Sequence, residues 1–324
     1  MLAFVIRRLL QAVGVLFAMS LIVFAGVSAL GDPVDVMAPP DATQAEREAT
    51  RVAMGLDQPV PVQYWRFLSG ALSGDLGRSF AYGAPAVELI VERMPATFEL
   101  AIAAMLIAIV LGIPLGLWAG LAPDSLAGKT ILAGSILGFS LPTFWVGLMM
   151  IMLFSVQLGW LPTSGRGQTV EVLGVHWSFL TWDGLRHLLM PAVNLALFKL
   201  SLIIRLTRAG TQEALVQDYV KFARAKGLSP GRVVGRHVLK NIMIPIVTVI
   251  GLEFGSLIAF SIVTETIFAW PGMGKLIIDS IAVLDRPIIV AYLLVIVILF
   301  VLINLVVDLL YSVLDPRVRL AANA

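Results

Sequence analysis

Cysteine is absent from this 324-residue chain. Its absence excludes disulfides, thiol nucleophiles and thiolate metal sites, and leaves the redox compartment open. Charge is scarce, with 14% of residues charged against about 25% in an ordinary soluble domain. Histidine is rarer still. His176, His187 and His237 are scattered, without metal-ligand spacing or a nucleophile–base arrangement. The chain has no Gly-x-x-x-x-Gly-Lys-Ser/Thr loop to cradle a phosphate. These gaps argue against an enzyme, against ATP hydrolysis by this chain, and against a resident metal or cofactor. Nothing in a net charge of +2 calls for nucleic acid as a partner.

What is present is apolar: 59% of residues are hydrophobic and the mean hydropathy is +0.93. A helix needs about 20 predominantly apolar residues to cross the hydrocarbon. Six stretches qualify: Leu9–Leu30, Thr97–Leu121, Ile131–Leu158, Leu188–Leu206, Asn241–Thr264 and Ile288–Val313. The first is longer than a signal-peptide core and reads as an uncleaved span. The expected fold is an all-α polytopic membrane protein with six transmembrane helices. Residues 1–96 would form the first span and a small outer helical cap. Residues 97–313 would form a five-helix core with a cytoplasmic loop at 207–240, and residues 314–324 a cytoplasmic tail. Arg7, Arg8, Lys129, Arg205, Arg208 and the basic run Lys221–Lys240 fall on one side with few acids, so that side and both termini are expected in the cytoplasm.

Lys199 and Glu253 interrupt the fourth and fifth spans. A charge at mid-bilayer costs at least ~2.5–3.5 kcal/mol, so such residues pair or face a polar path. Pairing with each other, lining one cavity, snorkelling of the lysine and protonation of the glutamate all stay open. Gly112, Gly116 and Gly120, four apart, suggest a close helix contact, within the chain or with a partner. Pro114 between them, Pro142 in Leu141–Gly147, and Trp270, Pro271 and Gly272 are candidate hinges or gates.

The cytoplasmic segment Gln212–Lys226 carries Leu215, Tyr219 and Phe222 at helical spacing, with Lys221, Arg224 and Lys226 opposite. Gly227 ends it, and Pro230 follows. Such a helix suits a hydrophobic groove in a partner, or an anionic lipid surface.

Asp218–Leu228 (DYVKFARAKGL), then Arg236-His237 and Asn241–Pro245, resembles the cytoplasmic loop of permease subunits of binding-protein-dependent ABC importers, and within them the dipeptide/oligopeptide group. The N-terminal Met1–Leu9, Gly31-Asp32-Pro33, Gly74–Gly77, Thr264–Phe268 with Trp270–Gly272, and Asp315-Pro316-Arg317 are similar to further signatures of that group. Ala223 and Gly227 match the last alanine and the glycine of the wider family's Glu-Ala-Ala loop. Lys221 and Phe222 replace its first two positions. The resemblance implies a type I importer-permease fold in a bacterial cytoplasmic membrane. It implies a second homologous permease, two ATPase subunits that bind ATP and magnesium, and an extracytoplasmic substrate-binding protein. Tyr219, Phe222, Ala223, Arg224, Ala225 and Gly227 would couple to the ATPase. Di- or oligopeptides are the implied cargo. Nickel complexes, glutathione and oligosaccharides are the alternatives within that class. A stand-alone ion-coupled transporter using Lys199 and Glu253, or a membrane scaffold, are alternatives of another class.

Overall fold

A computed structural model describes residues 2–29, 34, 42–53 and 56–314. The signatures at Gly31-Asp32-Pro33 and Asp315-Pro316-Arg317, and the tail 315–324, lie outside these. Helix α1 (Leu2–Ala29) is followed by α2 (Gln44–Ala53), α3 (Val60–Leu72) and α4 (Ala86–Leu121). Then come α5 (Leu126–Ser140) and α6 (Thr143–Met150), the latter continued by π-helical turns at Ile151–Gln157. A short antiparallel hairpin, β1 (Val170–Val172) with β2 (Val175–Trp177), precedes α7 (Trp182–Leu215) and α8 (Asp218–Ala225). Helix α9 runs Pro230–Phe260 with a π-helical stretch at Val233–Val238. The last helices are α10 (Ile262–Ile267), α11 (Met273–Ala282) and α12 (Arg286–Leu314).

Among the described residues, α4, α7, α9 and α12 are each long and apolar enough to cross a membrane, and the pair α5–α6 counts as a fifth span. The apolar part of α1, Leu10–Gly26, is shorter. Each expected span therefore has a helical counterpart. The expected third span, Ile131–Leu158, carries its candidate hinge at Pro142. It breaks at Leu141-Pro142 into two helices bent by 104°. Proline holds its predecessor away from the α region, and Leu141 sits at ψ 134°. Hydropathy does not register this break, because the run stays apolar through it. Several helices also outrun the bilayer. Helix α7 has 34 residues, about 51 Å at 1.5 Å per residue. Both ends therefore carry chain beyond the hydrocarbon.

The chain forms two compact units. One comprises residues 1–95 with 272–302, the other 96–271 with 303–324. In the first, α3 packs on α1. Tyr64 and Ser20 share a hydrogen bond of 2.8 Å, and Phe24 meets the Tyr64 ring at 5.4 Å and the Phe67 ring at 5.8 Å. Helix α2 opens on a reciprocal cap. The Thr43 N–H and hydroxyl donate to the Glu46 carboxylate at 2.8 and 2.9 Å, and the Glu46 N–H donates back at 3.3 Å. Those donors hold the Glu46 carboxyl below its ordinary range. Buried Asp285, just before α12, accepts from the Ser79 hydroxyl and from the Ala81 N–H, which ties the loop before α4 to the start of α12.

In the second unit, α4 and α7 are in close contact through the glycine ladder. A Cβ at Gly116 would lie 2.6 Å from Thr207 Cβ and 2.7 Å from the Ile204 carbonyl oxygen. One at Gly120 would lie 2.6 Å from Thr211 Cβ, and one at Gly112 2.8 Å from Ile203. The ladder is thus an intrachain packing face. Pro114 stays inside the continuous helix α4.

Candidate functional site

Three groups of residues carry chemistry beyond packing, and up to Pro271 their members belong to the second unit.

The first is a foot, α8. Helix-forming residues lead to a left-handed glycine: Gly227 has φ +75°. The Gly227 N–H donates to the Arg224 carbonyl at 2.9 Å and the Leu228 N–H to the Ala223 carbonyl at 3.3 Å, the paired closure of a Schellman motif. A Cβ on Gly227 would meet nothing within 4 Å. Backbone handedness, not space, makes this position a glycine. The helix is seated by Val220 and Ala223, which are buried in a cluster with Ala214, Val233, Val238, Ile242 and Ile246. Phe222 points away from that seat, 62% exposed, with Lys226 4.5 Å from its ring centroid. Tyr219 is exposed as well, at the edge of a ≈ 310 Å³ depression shared with Glu213, Asn241 and Pro245. Arg224 and Ala225 are exposed. The expected single helix Gln212–Lys226 breaks after Leu215, so the stripe of Leu215, Tyr219 and Phe222 divides, with Leu215 ending α7 against that cluster and Tyr219 and Phe222 exposed on α8. Ala223 joins Val220 against the bundle, while Tyr219 and Phe222 form an outward apolar edge.

The second group is the intramembrane pair. Lys199 Nζ, on α7, donates to Glu253 Oε2, on α9, and also to Ser256 Oγ at 2.7 Å. Ser256 in turn donates to the Glu253 backbone carbonyl at 2.8 Å. The two charges left open by the sequence are thus joined. Lys199 is 8% exposed, while Glu253 keeps partial access to a cavity of ≈ 490 Å³. The remaining wall is Thr143, Leu195, Phe198, Ser256, Leu257, Phe260, Val263 and Thr264. Thr264 accepts from Asn194 Nδ2 at 3.1 Å, and the buried Asn194 Oδ1 has no hydrogen-bond partner among the described residues. Pro142, which breaks α5 from α6, caps the helix whose first residue is Thr143. Pro114 lies elsewhere, in the wall of a ≈ 430 Å³ apolar cavity with Leu117, Trp118 and Val234.

The third group surrounds Trp270. Its ring is fully buried and its Nε1–H donates to the Ala96 carbonyl at 2.9 Å. Glu265, also fully buried, accepts from the Thr97 and Ser261 hydroxyls at 2.8 and 2.9 Å. Ala269 between them takes φ +44°. Pro271 follows, and Gly272 caps α11 with an extended backbone. Next to this turn, Glu99 near the start of the second span accepts two bonds from Arg166, at 2.9 and 2.6 Å. It accepts three more at 2.7–2.8 Å, from the Ser178 N–H and hydroxyl and from the Phe179 N–H. The Arg166 guanidinium lies 5.8 Å from the Trp270 ring centroid, and the Gly165 N–H donates to the Phe268 carbonyl at 2.9 Å. The sequence pointed to Trp270 and its neighbours and missed Glu99, Arg166 and Glu265. The available signal was a glutamate at each of two span edges, where burial demands partners.

Comparisons with known proteins bear on the whole chain. Residues 112–320 match the family described as binding-protein-dependent transport system inner membrane component, and residues 1–101 match the N-terminal region of such components. The di/tripeptide transport system permease protein DppB of Pseudomonas aeruginosa is 40% identical, over 98% of this chain and 99% of that one. The oligopeptide transport system permease protein AppB of Bacillus subtilis is 38% identical, over 98% and 100%. The glutathione transport system permease protein GsiC of Escherichia coli O6:H1 is 40% identical, over 98% and 99%. Among solved structures, an inward-facing MetNI methionine ABC transporter aligns with TM-score 0.53 at 17% identity, covering 70% of this chain and 96% of that one. The fold is therefore that of a type I ABC-importer permease, all-α and polytopic.

Proposed function

The chain belongs to the family of binding-protein-dependent transport system inner membrane components, and from that premise we propose that it is a transmembrane permease subunit of an ATP-driven peptide importer. Di- and oligopeptides are the cargo named for similar permeases from two organisms. Glutathione, itself a peptide, is the cargo named for a third and is the second reading. The proposed assembly holds a second homologous permease, two ATPase subunits that bind ATP and magnesium, and an extracytoplasmic binding protein. Both termini lie in the cytoplasm on the charge-bias argument.

The observation that carries the coupling role is the two-sided foot. Val220 and Ala223 anchor α8 to α7 and α9 through a buried cluster, while Tyr219 and Phe222 stay outside it. A rigidly seated helix with an exposed aromatic edge fits a groove in a partner. It transmits that partner's movement because the seat does not yield. In the complex purified with its ATPases, Phe222→Ala is expected to lower peptide uptake per ATP hydrolysed by about tenfold, the scale of an interface anchor. Membrane insertion should be unchanged. Copurified ATPase chains with wild-type uptake by Phe222→Ala would refute the foot. Gradient-driven uptake by this chain alone would refute the importer and favour an ion-coupled carrier.

A further inference from the structure

We propose that the Lys199–Glu253 pair is a transit site for the two termini of a zwitterionic peptide: Glu253 receives the terminal ammonium and Lys199 the terminal carboxylate. The inference rests on the peptide-importer reading and adds a binding site in the membrane to it.

Three observations converge. The pair lines a cavity of ≈ 490 Å³, within the ≈ 300–1,000 Å³ of ordinary small-ligand sites. The rest of its wall is apolar apart from Thr143, Ser256 and Thr264, so among the described residues the pair is the cavity's one charged feature. The carboxylate is the more accessible partner, and the ammonium is buried behind it on Ser256.

Stability alone does not call for such a pair. A buried ion pair can usually be replaced by apolar residues without loss, and each charge here is costly to insert. A peptide with free termini reverses that balance. It carries one charge of each sign, so it can exchange partners with both side chains and leave none uncovered. Two residues extend at most about 7 Å, a separation that the long lysine and glutamate side chains span by swinging apart. Opposite fixed charges would thus carry a zwitterion across the hydrocarbon without a net charge being exposed. A terminally blocked peptide would leave one of the pair unpaired.

The test uses the assembled importer in proteoliposomes with its binding protein. Uptake is measured for dialanine, N-acetyl-dialanine and dialanine amide. The same binding protein serves every variant, so a change in the ratio between peptides belongs to this chain. Glu253→Gln should lower the preference for dialanine over the N-acetyl peptide by about tenfold, the effect of losing a charge-assisted bond. Its preference over the amide should not move. Lys199→Met should do the reverse. If either variant lowers uptake of all three peptides in parallel, the pair only braces α7 against α9 and the site is refuted, while the peptide-importer reading stands. If the wild type takes up none of the three, both fall. A wild-type measurement removes dependence on variant folding. Dialanine with a ¹³C carboxylate, bound to importer containing ¹⁵N-lysine, should show dipolar coupling to a lysine Nζ. Absence of that coupling overturns the proposal.

Discussion

Glu99 shows how much one side chain can organise. Its carboxylate collects five donors from Arg166, Ser178 and Phe179, and its side chain is 1% exposed. Removing it leaves the Arg166 guanidinium, 12% exposed, with only the His176 carbonyl at 2.6 Å among the bonds described, and takes the acceptor from two backbone N–H groups. Truncating one partner of a buried pair costs about 3–5 kcal/mol. Glu99→Ala is therefore expected to lower the Tm of the purified protein by roughly 6 °C or more, taking about 2 °C per kcal/mol for a large domain. Glu99→Gln, which keeps an acceptor oxygen, should lose less. Thermal unfolding followed in nanodiscs checks this, and an unchanged Tm for the alanine variant would show that the Arg166 network is dispensable. No sequence pattern announces the pair, because its members are 67 residues apart. Lys199 and Glu253 were legible for the opposite reason. Each interrupts an apolar run, and a charge there has few ways to be satisfied. Their partnership still needed the structure, since depth along two separate helices sets it.

At the scale of elements, hydropathy located the spans but not the helices. Helix α4 starts at Ala86, eleven residues before the apolar run Thr97–Leu121, because Glu88, Glu92 and Arg93 form helix without belonging in lipid. The α5–α6 break was legible only as a proline, and its 104° angle was not. The glycine ladder declared a close contact, but its partner, α7, could not be read from spacing. The foot was the most legible element. Its C-terminal glycine, basic face and aromatic positions all appear in sequence, yet the inward turn of Ala223 does not, because Val233, Val238 and Ile242 bury it from a different helix. The Schellman closure carries its own test. Left-handed backbone costs a non-glycine residue about 1–2 kcal/mol, and asparagine tolerates it best. Gly227→Asn should keep the end of α8 intact, whereas Gly227→Val should fray it. Hydrogen exchange of the Leu228 amide, bonded to the Ala223 carbonyl, reports the difference. Equal protection in the two variants would show that handedness at 227 does not hold the foot together.

At the scale of the whole molecule, the seat of α8 and the Lys199–Glu253 cavity share one helix. Ile246, buried in the foot's seat, and Glu253, in the cavity wall, are seven residues apart on α9. Seven residues are about two turns, so both lie on one face some 10 Å apart. No loop or chain break intervenes, and interiors packed at crystal density transmit displacement instead of absorbing it. A movement of α8 against its seat should therefore reach the ion pair through α9 as a tilt. Loosening the seat should let the foot move without the cavity following. Ile246→Val removes one methylene, at about 0.5–1.5 kcal/mol, and Ile246→Ala costs about 2–5 kcal/mol. In the reconstituted importer, ATP hydrolysis stimulated by the loaded binding protein should stay near wild type in Ile246→Val. Peptide taken up per ATP should fall in the order wild type, valine, alanine. Val263→Ala, in the cavity wall but outside the seat, separates the two roles, because it leaves the mechanical link whole and should keep that ratio. A ratio that holds constant across the Ile246 series, in complexes that still assemble, would mean that the foot drives the cavity by another route than α9.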